Sequence, residues 1–148
     1  MIALLQRVSS SKVEVDGKEI ASIGKGLNIL LGVLKEDSIS DINKLVKKII
    51  NLRIFADEES KMNLSILDIK GEILVISQFT LAGSVKKGRR PSFDRAMEPA
   101  KAKELYLLFI EKLKEYVEVK SGIFGAMMKV EIINDGPVTF IIDSKELT

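Results

Sequence analysis

The sequence contains no histidine and no cysteine. Without cysteine there are no disulfides, no thiolate nucleophile and no thiolate metal site. Without histidine the chain lacks the commonest side-chain base near neutral pH and the commonest metal ligand. A Ser-His-Asp triad and the His-containing zinc sites are excluded. Neither a metal nor a cofactor is expected, so chemistry falls to hydroxyls, Lys and Arg, carboxylates, backbone groups or the substrate itself. Long apolar runs are also missing: none reaches 18 residues, and the first residues lack the charged-then-apolar pattern of an export signal. No membrane span is expected, and a cytoplasmic location is. Excess charge is small, with 23 Lys and Arg against 21 Asp and Glu, a net +2. That balance does not by itself announce a nucleic-acid partner.

The chain does have strong hydrophobic patterning. Its 148 residues are 46% hydrophobic and 30% charged, and no repeat or linker interrupts them. A single domain over 1–148 is expected. Residues 2–15 read as a strand, Asp16-Gly17 as a hairpin turn, and "KEIASI" as the returning strand. Gly24-Lys25-Gly26 reads as a turn, without the spacing of a phosphate loop. "LNILLGVL" then reads as a buried strand. From Ser38 the period changes. Ile42, Leu45, Val46 and Ile49 mark one helix face, with Ser38 or Ser40 as the cap. "ADEESKMN" reads as a polar loop, and "LSILDIKGEILVISQFTL" as two strands around Lys70-Gly71. A second helix is expected from about Pro99 to Val117, and "MMKVEII" and "VTFIID" as a closing strand pair. The expected fold is mixed α+β: a strand-rich domain of mixed and antiparallel sheets against two main helices, with hairpin-like links rather than a regular βαβ winding.

Three stretches carry residues suited to chemistry. "SQFTL", Ser77 to Leu81, ends an apolar strand, and strand ends often carry function. Ser77 and Thr80 are candidate nucleophiles and Gln78 can orient a carbonyl or amine. The same residues also fit the two faces of an ordinary strand. "KKGRRPSFDRA" sets Lys86, Lys87, Arg89 and Arg90 around Gly88, an arrangement that suits phosphates but equally a solvated loop. Phe93 could stack on a base or open the core of the following helix. "NDGPVT", Asn134 to Thr139, reads by turn chemistry as a hairpin loop.

Taken together, "SQFTL" and "NDGPVT" resemble the two signature motifs of the D-aminoacyl-tRNA deacylases. The resemblance extends to "LLQRV" near the start, "KMNLS" at Lys61–Ser65, "KGRRPSFDRA" at Lys87–Ala96 and "GIFGAMM" at Gly122–Met128. It implies a homodimer that needs no cofactor or metal and acts on the aminoacylated 3′ end of tRNA. The implied reaction is hydrolysis of the ester joining a D-amino acid, or glycine mischarged on tRNA-Ala, to the terminal ribose. Ser77, Gln78, Phe79 and Thr80 are the implied catalytic segment. Gly136, Pro137 and Met127 are the implied substrate contacts, and Lys86, Lys87, Arg89 and Arg90 the implied tRNA contacts. Gly136-Pro137 would be cis, enter the partner's site, and exclude L-side chains with main-chain carbonyls. Two mechanisms are compatible with the residues: water assisted by the ribose 2′-hydroxyl, or Thr80 as a nucleophile that lacks an evident base. An RNA-binding module without chemistry and a small-molecule esterase are the alternatives from other classes.

Overall fold

The computed structural model describes residues 1–148. The chain opens with β1 (Ile2–Val15), β2 (Lys18–Ile23) and β3 (Gly26–Gly32), then α1 (Ile39–Asn51). Two short strands follow, β4 (Phe55–Ala56) and β5 (Met62–Leu64), then β6 (Glu72–Ser77), α2 (Pro99–Lys114), β7 (Glu118–Ser121) and β8 (Lys129–Asp143). Six strands form one sheet in the order β2-β1-β3-β6-β7, with β8 on the other edge of β1; β4 and β5 pair separately.

Local chemistry explains the first half well. Asp16 and Gly17 have φ of 51° and 77°, the left-handed pair that a tight two-residue hairpin demands. Ser38 donates its N–H to Asp41 at 2.8 Å at the start of α1, a reciprocal use of the cap that satisfies a free helix-end donor. Ile42, Leu45, Val46, Ile49 and Ile50 are buried along one side of that helix.

Two expectations are corrected. The links into β6 and β7 are not hairpin-like, because β6 runs parallel to β3 and β7 parallel to β6. Parallel neighbours need a crossover, and α1 and α2 lie in those two connections. The stretch before Lys70-Gly71 is not a strand either. Ser65 donates its N–H to Asp68 at 2.8 Å, and Asp68 returns its own to the Ser65 hydroxyl at 3.1 Å. Ile69 and Gly71 close turns onto Ser65 and Ile66. These local bonds compete with the ladder and win.

Alternation along the strands sorts the core. Leu5, Leu27, Ile29, Leu31, Ile73 and Val75 pack against both helices, with Tyr106 and Phe109 among the bulkiest contributors. On the opposite face Val8, Val13, Ile23, Leu74 and Ile76 form a smaller cluster under Met128, Val130 and Ile132. No helix is long and apolar enough to cross a membrane.

The two ends of the fold meet at Asp41, which is buried. Burial alone would raise its pKa, but hydrogen bonds from Ser144, Lys145 and the Ser38 N–H outweigh it and hold the carboxyl well below the ordinary range. Ser144 donates to it at 2.7 Å and the Lys145 ammonium lies 3.0 Å away. A depressed folded-state pKa adds stability above the unfolded value, near ~3.9, which disappears as pH falls through the folded value. Asp41→Asn is therefore expected to lower unfolding free energy by about 1–3 kcal/mol at pH 7. The mutant should also lose less stability than the wild type between pH 5 and pH 2. Denaturant melts at both pH extremes check this, and parallel losses in the two proteins would refute it.

Candidate active site

β3, β6 and β7 run parallel, so their carboxyl ends lie side by side, where ligands commonly bind in parallel sheets. At this rim β6 ends at Ser77. Gln78 keeps the ladder for one more bond, its N–H reaching the Leu31 carbonyl at 2.8 Å. The chain then tightens into a 3-10 turn, Phe79–Ala82. Gly32 makes room for it: a Cβ there would lie 2.8 Å from the Leu81 Cβ and 3.1 Å from the Gln78 carbonyl oxygen. A 3-10 turn has no internal acceptor for the N–H groups of its first residues, so those of Phe79 and Thr80 are directed out of its start. Both side chains are exposed. The amide of Gln78 donates to the Thr80 hydroxyl oxygen at 2.5 Å.

Beyond the turn the basic segment folds back over it. Ser84 and Ser92 exchange two backbone bonds of 2.7 and 2.8 Å, closing 85–91 into a loop. Lys86, Lys87, Arg89 and Arg90 are exposed at its tip, and Gly88 turns it at φ 67°. The returning arm brings Phe93 against Phe79, ring centroids 5.0 Å apart and tilted by 56°. Gly83 permits the approach, since a Cβ there would meet the Phe93 ring at 3.0 Å. Phe93 thus belongs to the rim. It does not open the core of α2.

"NDGPVT" is not a hairpin loop. Both of its flanks belong to the single strand β8, and both pair antiparallel with β1. Asn134 sits opposite Val8 and Thr139 opposite Gln6. Residues 135–138 therefore bulge out opposite Arg7 alone. The bulge is braced from several sides. Arg7 donates through Nε to the Asp135 carbonyl at 3.0 Å and through Nη1 to the Ile54 carbonyl at 2.8 Å. The Asn134 amide accepts from the Val138 N–H at 3.1 Å and donates to the Thr139 hydroxyl at 3.0 Å. Val138 is buried, whereas Gly136 and Pro137 project into solvent. The Gly136–Pro137 peptide is cis and Gly136 has φ 134°.

The chain's likeness to known proteins is extensive. A family model described as D-Tyr-tRNA(Tyr) deacylase matches residues 4–143. The chain belongs to this deacylase family. A protein of Persephonella marina named D-aminoacyl-tRNA deacylase is 71% identical over 99% of this chain and all of its own length. One of the same name from Aquifex aeolicus is 63% identical, again over 99% of this chain and all of its own length. Among solved structures, one titled c-Myc DNA Unwinding Element Binding Protein superposes with TM-score 0.92 at 43% identity, covering 97% of this chain and 98% of that one. A probable eukaryotic D-amino acid tRNA deacylase superposes at TM-score 0.81 and 21% identity over 95% of this chain and 97% of its own, a likeness of fold.

In this member of the deacylase family, Ser77, Gln78, Phe79 and Thr80 gather at one rim together with Phe93 and the basic loop. Met127 lies on the loop that follows β7 and is almost fully exposed, at 91%. Its neighbour Met128 tucks under, 2.6 Å from where a Gly122 Cβ would stand. Gly136 and Pro137 do not join Ser77–Thr80 in any hydrogen bond within one chain; their own neighbours are Arg7 and Val138. Two supporting residues escaped the sequence reading, Arg7 and Asn134. Only Arg7's place in the "LLQRV" likeness hinted at the first. Asn134 lies inside "NDGPVT", where the hairpin reading gives it no role of its own.

Proposed function

We propose that this chain hydrolyses the ester of D-aminoacyl-tRNA, releasing the D-amino acid and tRNA, with glycyl-tRNA also accepted. The observation that carries the reading is the exposed turn at Phe79–Thr80, whose leading N–H groups have no acceptor inside the turn, in a chain of the deacylase family. Such donors stabilise the negative charge that develops on an attacked carbonyl oxygen, and one well-placed donor is worth about 3–4 kcal/mol. Water's oxygen bonds to the ester carbonyl carbon, and the bond to the ribose 3′ oxygen breaks. That oxygen takes up one proton while the released acid ionises to solvent. The ribose 2′-hydroxyl, adjacent to the ester, assists the transfer in the absence of any histidine.

Selection against L-amino acids is assigned to the 135–138 bulge of a second copy. Its Gly136 and Pro137 carbonyls would receive the substrate's α-ammonium, and the braced main chain would leave no room for an L-side chain. Several features favour such a dimer. β8 pairs only with β1, which leaves a 15-residue edge open, and long open edges recruit partners. Ile133, Ile141 and Met127 are exposed on or beside it. Lys86, Lys87, Arg89 and Arg90 would hold phosphates near the tRNA 3′ end, and the substrate would be met in the cytoplasm.

The test is turnover of D-aminoacyl-, L-aminoacyl- and glycyl-tRNA by the purified protein. Hydrolysis of the first and third with the second spared is expected; binding without turnover, or equal hydrolysis of free aminoacyl esters, would overturn the reading. Thr80→Ala separates the two mechanisms. Its hydroxyl oxygen already accepts from Gln78 and has no base beside it, so the variant should keep deacylation within about tenfold of wild type, as expected for a group that is no nucleophile. Loss of about 10⁴-fold with folding intact, or an acyl-enzyme trapped on Thr80, would favour the covalent route.

A further inference from the structure

α1 has an outward stripe of Ser40, Asn43, Lys44, Lys47, Lys48 and Asn51, all exposed and without a carboxylate. α2 is different: its exposed Lys101, Lys103, Glu104, Glu111 and Lys114 mix both signs, and Lys114 pairs with Glu111 at 3.4 Å. Lys44 stands three and four residues from Lys47 and Lys48, so like charges are adjacent on one helix face. Such neighbours destabilise an isolated helix. Five other lysines of the chain form ion pairs, namely Lys12, Lys61, Lys114, Lys120 and Lys145, but Lys44, Lys47, Lys48 and Arg53 form none.

These cations line a hollow. An open cavity of roughly 850 Å³ is bordered by Asn43, Lys44, Lys47, Lys48, Asn51 and Arg53, with Leu52, Leu147 and Thr148 at its edge. A second hollow of roughly 570 Å³ shares Asn43, Lys47 and Asn51 with it and adds Lys112, Tyr116 and one carboxylate, Glu115. The trough therefore runs along α1, with cationic side chains at intervals above their own aliphatic stems. Its Arg53 end adjoins the proposed filter: Ile54, the next residue, accepts from Arg7 at 2.8 Å, and Arg7 holds the Asp135 carbonyl at 3.0 Å.

We propose that the α1 trough is a second tRNA-backbone site, in which Lys44, Lys47, Lys48 and Arg53 hold phosphates of the substrate away from its reacting 3′ end. The assignment rests on the deacylase reading for the identity of its polyanion. The charge pattern supplies the complementarity: three lysines outside any ion pair, joined by Arg53, which donates to the Asn63 amide oxygen at 3.2 Å, border one hollow of a chain whose net charge is only +2. The basic loop at 86–90 and this trough would then divide the work, the first gripping the terminal nucleotides and the second the body of the RNA. Because the adjoining bulge is assigned to a neighbour's site, the trough grips RNA whose ester is cleaved in the other subunit.

The variant Lys44→Gln/Lys47→Gln/Lys48→Gln/Arg53→Gln tests this, with Lys44→Gln/Lys48→Gln as a milder companion. Binding of uncharged full-length tRNA is measured across a salt series. Each lost contact should reduce the slope of log affinity against log salt by about 0.7–0.9, and the quadruple variant should bind about tenfold or more weakly at moderate salt. Turnover of a D-aminoacyl ester on a short 3′-end oligonucleotide should be unchanged, since that substrate does not reach the trough. An unchanged slope in both variants overturns the proposal, and so does an equal loss on the short substrate. Equal weakening of binding to an unrelated DNA duplex would overturn the assignment to tRNA. If the wild type never turns over D-aminoacyl-tRNA yet the slope changes as expected, the deacylase reading fails and the nucleic-acid trough survives.

Discussion

Gly136→Ala is expected to reduce deacylation of D-aminoacyl-tRNA by about 100-fold or more, the scale of loss when a positioning element moves by roughly an ångström. The reason is local and severe. Gly136 sits at φ 134°, a region that side-chain-bearing residues enter only under strain of about 1–3 kcal/mol. A Cβ there would lie 2.7 Å from Val138 Cγ2, 3.0 Å from Arg7 Nη2 and 3.1 Å from the Val138 nitrogen. Val138 is buried and cannot step aside, and the guanidinium is engaged on both flanks. The main chain must therefore move, and the two carbonyls proposed to receive the ammonium move with it. Single-turnover hydrolysis beside a thermal melt is the measurement. A variant that melts as the wild type does and hydrolyses at near the wild-type rate would show that the bulge is not a recognition element.

Arg7→Lys should be nearly as damaging as Arg7→Ala, each with a fall in kcat/KM of about 30- to 100-fold for D-substrates. The guanidinium presents its donors in a planar fork that reaches the Asp135 and Ile54 carbonyls together. An ammonium is a single point and cannot span both. Removing the fork leaves two backbone carbonyls without it, a stability loss of about 1–3 kcal/mol. A purely structural role would stop there. As a positioning residue, Arg7 should also govern selectivity, so the ratio of D- to L-aminoacyl-tRNA hydrolysis is expected to fall in both variants. If the ratio stays at the wild-type value while stability drops, Arg7 is a brace for β8 and nothing more.

How much of this could be read from the residues alone depends on the range of the interactions involved. α1 was legible because its signals are local: Ser38 ahead of it, and Ile42, Leu45, Val46 and Ile49 at the helical period. The turn at Asp16-Gly17 was legible for the same reason, and so was the strand ending at Ser77. The pairing of β3, β6 and β7 was not, since the direction of a neighbouring strand is decided by what the crossover packs against. Asn134-Asp135-Gly136-Pro137 carries every local mark of a reversal. The chain nevertheless goes straight on, because β1 is long enough to pair with both flanks. Arg7 could not be singled out by pattern: its partners lie 47 and 128 residues away. The gathering of Phe79 with Phe93 depended on the bridge between Ser84 and Ser92, which no periodicity announces.

The bulge also acts as a counting device. Side chains alternate along β8, so the number of residues between Asn134 and Thr139 sets the phase of everything after it. In the present phase Ile142 packs against the main core and Ile141 is 70% exposed. A one-residue deletion in 135–138 that is taken up by β8 sliding along β1 would exchange the two. Ile141 would be driven toward the helices, Ile142 outward, and the chain would arrive out of step at Ser144, whose hydroxyl bonds Asp41 at 2.7 Å. Under the proposed reading, substitutions in this segment would change what it recognises, whereas a slipped register would rewrite the far end of the fold.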